Sequence, residues 1–171
     1  MKNIFYSFLE TQFGPLLISS TEKGVKRIIL PSANQLQRLK QDFKDDEVSE
    51  NKTINEKAVC QLREYFKGER KKFSLSLDLE ATEFQKKVLR AVQKVSYGTT
   101  RSYKYIAEKI GRPKAVRAVG NANRNNSLPI IIPCHRIIGS DGSMTGYGGG
   151  IELKRKLLEF EKRQVREYTC L

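Results

Sequence analysis

Tryptophan is absent from this 171-residue chain, histidine occurs once, and the three cysteines are widely separated. Cys60, Cys134 and Cys170 are odd in number and show no C-x-x-C spacing. This argues against a disulfide framework and is typical of a reducing compartment. A zinc site needs three or four cysteine or histidine ligands, whereas the single His135 stands beside Cys134. The sequence therefore predicts no metal site.

Long apolar stretches are also missing. No run approaches the roughly 18 residues that a membrane helix needs, and Met1 to Ile4 leads into no signal-peptide core. The hydrophobic share of 39% is nevertheless enough for a real core at this length. These features predict a soluble globular protein of one medium or two small domains, with no membrane partner and a cytoplasmic location.

Acidic residues are scarce in the second half of the chain. Residues 1–80 hold 14 Lys and Arg against 12 Asp and Glu, whereas residues 81–171 hold 18 against 7. Most of the net charge of +13 therefore belongs to the second half. A basic excess confined to one half favours a nucleic-acid surface, and a solvated basic face without a partner is the alternative.

The first half has the pattern of a small α+β unit. Gly14-Pro15 and Gly24 separate three short β-rich segments, which span residues 5–10, 16–20 and 25–30. This predicts an antiparallel meander. Ser32 with Gln35 and Thr53 with Glu56 have capping-box spacing, and each pair precedes a helical pattern.

The end of this half is predicted from weaker signals. Gly68 is expected to end the second helix, with Cys60 packed inside that helix. The acidic stretch 42–51 is expected to be an exposed loop. Residues 73–79 alternate as a strand would, and they lead to a domain boundary near residue 80.

From Thr82 the pattern becomes helical. Thr82 and Gln85 form another capping box, and Ser102 caps a short helix. After a turn, Pro113 suits the first position of the next helix. The inward face of that helix is Ala115, Ala118, Val119 and Ala122, and its outward row is Lys114, Arg117, Asn121 and Arg124. This predicts a helix-turn-helix with a surface for phosphates and base edges, and a helical hairpin that binds protein is the alternative.

The apolar run 130–138 would ordinarily be a buried strand, yet Cys134, His135 and Arg136 interrupt it. A thiolate is the reactive form of cysteine, and its neighbours offer a base and a cation that help it to form. A nucleophile is one interpretation, and a buried structural cysteine is the other.

The last helix carries an acid on its predicted buried face. Leu153, Leu157, Leu158 and Val165 form the stripe, and Glu161 shares it. A buried carboxylate costs free energy unless it is paired, so Glu161 is expected to have a partner, for which His135 is a candidate. The glycines of 146–150 have no phosphate-loop spacing and favour a hinge or a close approach to a flat substrate.

The segment Ile132-Pro133-Cys134-His135-Arg136 resembles the active-site signature of the O6-alkylguanine-DNA alkyltransferases, which are direct-reversal DNA repair proteins. Further matches in order and spacing extend from about Phe84 to Glu161. They are Ser102-Tyr103, Arg117-Ala118-Val119-Gly120, Asn126, Gly146-Tyr147-Gly148-Gly149 and residues 154–161. Residues 1–80 resemble the family weakly and by position.

The resemblance implies an α+β fold in two parts. Residues 1–80 would form a small ribonuclease-H-like α/β domain. Residues 81–171 would form a mostly helical domain with a helix-turn-helix of the winged-helix-like kind, which binds DNA and carries out alkyl transfer.

The resemblance also implies catalytic roles. Cys134 would accept the alkyl group, and His135 would deprotonate it through a water. Glu161 would hold and polarise His135, and Asn126 would brace the loop around the cysteine.

Contacts with DNA follow from the same resemblance. Tyr103 would press on the phosphate 3' of the target and donate to the flipped base, and Arg117 would enter the stack in its place. Lys104 and Arg112 match backbone-contact positions, and Ser140 is also expected at the DNA. The guanine pocket would be lined by Tyr103, Ser140, Tyr147 and Gly148.

The implied reaction is consistent with these parts. An alkyl group on O6 of guanine lies inside the duplex, so the base must leave the stack. The thiolate would displace guanine and leave a thioether, which offers no carbonyl for water to attack. The protein would therefore act once, as a monomer, on double-stranded DNA containing O6-alkylguanine, with no cofactor and no metal. O4-alkylthymine is a second candidate substrate.

Two other functions are compatible with the residues alone. A cysteine hydrolase with a Cys-His dyad would turn over and ignore DNA. A DNA-binding regulator with Cys134 as a redox or alkylation sensor would favour a defined operator sequence over lesions.

Overall fold

The computed structural model describes the backbone of residues 1–169 and the side chains of residues 1–166. The chain divides after Glu80 into two compact units, Met1–Glu80 and Ala81–Leu171. Cys170 lies outside the described residues, as does the side chain of Tyr168. Among the helices that are described, none is long and apolar enough to cross a membrane.

The first unit is built on a four-stranded sheet of order β3-β2-β1-β4. β1 (Asn3–Leu9), β2 (Leu16–Thr21) and β3 (Gly24–Ile29) pair in antiparallel fashion, so the predicted meander is confirmed. The connection between β2 and β3 needs Gly24, whose φ is 140° and whose missing side chain leaves room for the Ser76 carbonyl.

Two helices complete this unit, α1 (Gln35–Asp42) and α2 (Lys52–Phe66). α2 packs on β1 and β2. α1 contributes Leu39 to a buried cluster with Ile4, Leu17 and Ile29. The apolar faces of sheet and helix are thereby removed from water, which is the main source of stability for so small a unit.

The acidic stretch that was expected to be an exposed loop is partly a strand. β4 (Glu47–Glu50) adds in parallel to the edge of β1, with Val48 opposite Ile4. Val48 packs against the buried cluster. The prediction was wrong because a single apolar residue gives too short a pattern to reveal a strand with one solvated face.

The segment 73–79, which was predicted to be a strand, is not one. It makes only one isolated parallel bridge, between Leu77 and Val25. Gln61 instead satisfies this backbone, since its Oε1 accepts from the Ser74 N–H at 2.8 Å and its Nε2 donates to the Ser74 carbonyl at 3.1 Å. Alternation here marks an extended segment whose hydrogen bonds are made partly by a side chain.

Both capping boxes predicted for the first unit are wrong. α1 follows Asn34, which is left-handed with φ 59° and makes no side-chain cap. α2 follows Asn51, whose Oδ1 accepts from the Ile54 N–H at 3.1 Å, so Thr53 lies inside the first turn. Asn51 is the N-cap because its position is fixed by the sheet: its N–H bonds to the Tyr6 carbonyl where β4 ends, so α2 starts at the next residue.

The remaining predictions for α2 have mixed outcomes. Gly68 ends the helix as expected, with φ 80° and its N–H bonded to the Tyr65 carbonyl. Cys60 is exposed rather than packed inside, with its Sγ 3.6 Å from Glu64 Oε1. Its neighbours Ala58, Gln61 and Leu62 occupy the buried face instead.

The second unit is mostly helical. Its elements are α3 (Glu83–Gln93), β5 (Arg101–Ser102), α4 (Tyr103–Lys109), α5 (Val116–Arg124), β6 (Ile137–Ile138) and α6 (Gly150–Thr169). The capping box of Thr82 and Gln85 is present at the start of α3, as predicted. β5 and β6 form a short parallel pair.

Helices α4 and α5 pack against each other across a turn and both contact α3. The predicted cap of α4 is confirmed, because Ser102 Oγ accepts from the Tyr105 N–H at 3.0 Å. α5 begins only at Val116, so Pro113 lies in the turn rather than at the first helical position. The winged-helix-like arrangement stays a prediction.

The buried face of α5 is narrower than predicted. Val119 and Ala122 are buried, but Ala118 is exposed and Ala115 is only partly buried. Asn123 is buried in their place. A helix covered from one side buries a limited arc, and the later start of α5 shifts that arc toward its C-terminal end.

Candidate active site

The apolar run around Cys134 is buried but is not a strand. Cys134–Arg136 forms one turn of 3-10 helix, and within the run only Ile137 and Ile138 form a strand. Pro133 has φ −80° and ψ 63°, and the Cys134 N–H bonds to the Ile132 carbonyl at 2.8 Å across this tight turn. A strand would point alternate side chains to opposite faces, whereas this turn allows His135 and Arg136 to reach the same partner.

The backbone before the turn is strained at one position. Ile130 has φ 75° and is only 1% exposed. A β-branched residue rarely adopts this left-handed conformation, which costs on the order of 1 to 3 kcal/mol. The segment keeps this shape because the surrounding packing and hydrogen bonds hold it.

Two amides hold the cysteine loop. Asn126 Nδ2 donates to the Ile132 carbonyl at 2.8 Å, and its Oδ1 accepts from the Leu128 N–H at 3.0 Å. Asn123 Nδ2, near the end of α5, donates to the Cys134 carbonyl at 3.2 Å. The position of Cys134 is therefore tied to α5.

Glu161 lies at the centre of a buried network. Its Oε1 is 2.8 Å from His135 Nε2, and Arg136 donates to both carboxylate oxygens, from Nε at 2.9 Å and from Nη2 at 2.9 Å. The Gly98 N–H donates to Oε2 at 2.9 Å. The predicted partner His135 is confirmed. Arg136 and Gly98 were not foreseen as partners of this carboxylate.

The protonation states follow from these contacts. Burial by itself raises the pKa of Glu161, but the donors and charges of His135 and Arg136 outweigh it and hold the pKa well below its usual range. Burial also lowers the pKa of His135, against the opposing effect of Glu161. Glu161 is thus an anion at neutral pH and His135 is neutral.

This arrangement selects one tautomer of His135. An ionised carboxylate can only accept, so Nε2 carries the proton that bonds to Glu161. Nδ1 is then a lone-pair acceptor. It is buried and has no hydrogen-bond partner among the described side and main chains. A buried, unpaired acceptor of this kind is suited to receive a proton from a nearby donor.

The Cys134 thiol is buried and protonated at neutral pH. It is 4% exposed, and burial raises its pKa to about 11, although a hydrogen bond from Asn126 and the charge of Lys154 lower it in part. Such a thiol is almost entirely protonated at pH 7. It therefore needs a base in order to react.

Lys154 is a functional candidate that the sequence reasoning missed. It is fully buried, and its Nζ donates to the carbonyls of Ile137 at 2.6 Å and Thr145 at 3.0 Å. A signal was available, because Lys154 shares a helix face with Leu157, Leu158 and Glu161 by its spacing. Its charge acts on Cys134.

Two tyrosines complete the surroundings of the thiol. The Tyr103 hydroxyl donates to the Thr145 carbonyl at 3.1 Å. The Tyr147 ring lies edge-on to the His135 ring at 6.4 Å, and its buried hydroxyl has no partner within residues 1–166. Burial raises the pKa of both phenols. Both remain neutral donors over the physiological range.

The other predicted site residues are on the surface. Lys104 lies on α4, Arg112 in the following turn and Arg117 on α5, and all three are exposed. Ser140 and Gly148 are exposed in the loops that follow β6. The structure thus separates a buried group around Cys134 from a set of exposed cations.

Val165, predicted in the buried stripe of α6, is 37% exposed.

Over the described residues, no three His, Cys, Asp or Glu side chains come together as they would around a metal ion.

Comparison with known proteins identifies the family. The pattern described as "6-O-methylguanine DNA methyltransferase, DNA binding domain" matches residues 83–163, and that described as "6-O-methylguanine DNA methyltransferase, ribonuclease-like domain" matches residues 4–79. The chain belongs to the 6-O-methylguanine DNA methyltransferase family. The resemblance inferred from the motifs is confirmed, and so is the α+β fold class.

Individual relatives agree in sequence and in structure. A methylated-DNA–protein-cysteine methyltransferase of Methanosarcina barkeri is 42% identical over 163 residues, which are 95% of this chain and 100% of that protein. The solved O6-methylguanine methyltransferase of Mycobacterium tuberculosis is 40% identical, with a TM-score of 0.82 and 94% of each chain covered. An OGT of the same organism, solved in complex with DNA, is 38% identical with a TM-score of 0.80, over 95% of this chain and 94% of that one.

Glu161→Gln is expected to lower the free energy of unfolding by about 3 kcal/mol, because it leaves the buried Arg136 guanidinium without a counter-charge. Glu159→Gln is the matched control, since it removes an exposed carboxylate from the same helix and should change little. Urea denaturation of both variants measures the difference. Equal, small losses would show that the fold does not depend on the buried charge.

Proposed function

We propose that this chain repairs DNA by moving an alkyl group from O6 of guanine to the Sγ of Cys134, once per molecule. The observation that carries the proposal is the hydrogen-bonded pair of His135 and Glu161 beside a buried, protonated thiol. The family supplies the substrate class, since its members are named for methylated DNA and a protein cysteine. O4-alkylthymine is a second candidate substrate.

The first chemical step is activation of the thiol. His135 Nδ1 takes the proton of Cys134 through an intervening water, and Glu161 stabilises the imidazolium that results. Glu161 can do so because it stays ionised and bonded to Nε2. Arg136 and Gly98 keep the carboxylate in place, and Asn126 braces the loop that presents the thiolate.

The second step is displacement at carbon. The Cys134 thiolate attacks the alkyl carbon, a carbon–sulfur bond forms, and the pair of electrons of the broken carbon–oxygen bond goes to guanine. Guanine then takes up one proton, for which the neutral Tyr103 and Tyr147 hydroxyls are available donors. The thioether left behind has no carbonyl for water to attack, so the reaction stops after one turnover. The step needs no metal and no cofactor.

DNA docking is assigned to the exposed cations of the helix-turn-helix. Lys104 and Arg112 contact phosphates, and Arg117 fills the space that the flipped nucleotide leaves. Tyr103 presses on the phosphate next to the target, and the base enters a pocket lined by Tyr103, Ser140, Tyr147 and Gly148. The exposure of Ser140 and Gly148 is compatible with loops that contact the base or the adjacent backbone.

The two units have different parts in this proposal. Residues 81–171 contain the nucleophile, its base and the docking face, whereas residues 1–80 are the ribonuclease-like companion. The protein is expected to act in the cytoplasm on double-stranded DNA containing O6-alkylguanine. We expect it to act as a monomer, because every group that the proposed reaction uses belongs to one chain.

Cys134→Ser is expected to abolish transfer and leave affinity for DNA unchanged, since the thiol does the chemistry and the exposed cations do the binding. Cys60→Ser is the matched control, because Cys60 is exposed on α2 and should keep full transfer. Stoichiometric protein is incubated with an O6-methylguanine duplex, and the methyl group is located by peptide mass. A methyl group found on another residue would overturn the assignment, and repeated turnover without a modified cysteine would favour a hydrolase.

The pH dependence of transfer tests the role of His135. Burial holds the pKa of His135 below its ordinary value of about 6.5, so the neutral base persists above that pH and is lost only as the pH falls further. Transfer from free O6-benzylguanine should therefore be constant above pH 7 and decline toward acid.

The matched variant for this test is His135→Gln. Without the base, the rate should follow the thiolate fraction of Cys134 and rise toward its pKa of about 11. A wild-type rate that itself rises steadily to that pH would show that His135 does not take the proton.

Arg117→Ala is expected to slow repair of duplex DNA roughly tenfold or more relative to single-stranded DNA. The unstacking cost of a few kcal/mol exists only in the duplex, and 1.4 kcal/mol corresponds to tenfold. Single-turnover rates at saturating DNA measure the ratio. Arg124→Ala, an exposed cation on the same helix, should leave the ratio unchanged. Equal slowing on both substrates would mean that Arg117 supports the fold, and a loss confined to certain flanking bases would mean base reading.

A further inference from the structure

A second basic feature lies in the same unit as the active site. A cleft of about 600 Å³ runs between α3 and α4. One of its lining residues, Val95, touches the buried network of the active site, since its carbonyl accepts from Arg136 Nη1 at 2.7 Å. Five of its lining residues are cations, and no Asp or Glu lines it. The five are Lys87, Arg90, Lys94, Arg101 and Lys109.

The five cations are exposed. Within the described residues no ion pair involves any of them. Glu83 is the acid near Lys87 and Arg90, but its carboxylate bonds to Lys86 at 2.9 Å. Like charges gathered around one cleft repel each other, and a bound polyanion would relieve that repulsion.

The aromatic residue of the cleft favours phosphates over bases. The Arg101 guanidinium lies 5.3 Å from the centre of the Tyr105 ring, and the Lys109 ammonium lies 5.4 Å from it. Single-strand binders leave aromatic faces open so that bases stack on them. Here cation–π contacts occupy the ring, so Tyr105 positions two charges instead.

The spacing of the cations suits a repeating anion. Lys87 and Arg90 on α3 and Lys94 at its C-cap have the spacing i, i+3 and i+7 of one helix face, and they extend over about 10 Å of helix axis. A DNA duplex presents one negative charge per about 1.7 Å of its axis. A row of cations of this length can meet several phosphates together.

The cleft and the proposed docking face point in different directions. On α4, Lys104 belongs to the docking face and Lys109 to the cleft, and five residues of helix rotate the side chain by about 140°. One straight duplex on the docking face would not follow both. The cleft is therefore available while the first duplex is bound.

We infer that this cleft binds the sugar–phosphate backbone of a second DNA segment while the docking face holds the first. The site has no sequence preference, because its contacts are to phosphates. This role goes beyond the repair reaction, and the reaction at Cys134 does not require it.

Lys87→Gln/Arg90→Gln/Lys94→Gln removes three cleft charges from α3 and its C-cap with a residue that keeps high helix propensity. The control triple is Lys162→Gln/Arg163→Gln/Arg166→Gln, which removes three exposed cations from α6. Each protein is mixed with an excess of a short unmodified duplex, and the complexes are weighed by native mass spectrometry over a salt series. Methyl transfer from a short lesion duplex is measured in parallel.

The wild type and the control triple should bind two duplexes, and the cleft triple one, with transfer unchanged. Removal of three phosphate contacts should also flatten the log–log salt dependence of the second binding step by roughly 3 units. One duplex per wild-type protein, or equal loss in the control triple, would overturn the second site. So would a cleft triple that loses transfer, since the cleft would then be part of the first docking face. If tripolyphosphate at the same concentration displaced DNA from the cleft, the cleft would be a site for small anions and the proposal would be overturned.

A failure of the repair proposal gives a different result. No methyl group would appear on wild-type Cys134, while the number of duplexes bound would be unaffected.

Discussion

The second unit depends on one buried carboxylate. Glu161 of α6 is fully buried, so its charge is stabilised by donors from two other places, which are the 3-10 turn and the Gly98 loop. An ion removed from water is expensive unless nearly every lone pair is satisfied. The requirement therefore fixes the relative positions of the elements that supply the donors.

The same carboxylate decides the chemistry of its neighbour. Because Glu161 occupies Nε2 of His135, the remaining nitrogen is an acceptor that lies buried and unpaired in the described structure. Burial raises the pKa of the Cys134 thiol, so the thiol beside this acceptor is protonated at neutral pH. Stability and reactivity thus rest on the same interaction, in a unit whose exposed surface has the opposite character and is rich in cations.

Predictions from short sequence patterns were correct where the local backbone geometry strongly favours one residue type or one spacing. Glycine at a left-handed turn, Thr82 and Ser102 at helix starts, and the alternation of the meander all describe short-range geometry. They failed where several residues compete for one role, as at the caps of α1 and α2. They failed again at β4, whose pairing partner lies some 40 residues away in the chain.

The nucleophile motif shows the same limit. Its apolar composition correctly predicted that the segment is buried. The predicted strand was wrong, because a short apolar run is compatible with any buried backbone conformation. Glu161 was recognised as needing a partner from its helix face alone. Arg136 was not assigned to it, because that pairing depends on the reversal at Pro133.

The sequence by itself determined the family and the concentration of positive charge in the second half of the chain. It also placed Cys134 in the family's active-site signature and predicted a buried acid that needs a donor. Those properties follow from residue type and spacing, which are local. Only the tertiary structure decided that Glu161 bonds His135 and Arg136 together, that Lys154 is buried near the thiol, and that five cations converge on one cleft. Such juxtapositions join residues distant in the chain, and their energies come from burial and charge, which exist only once the chain has folded.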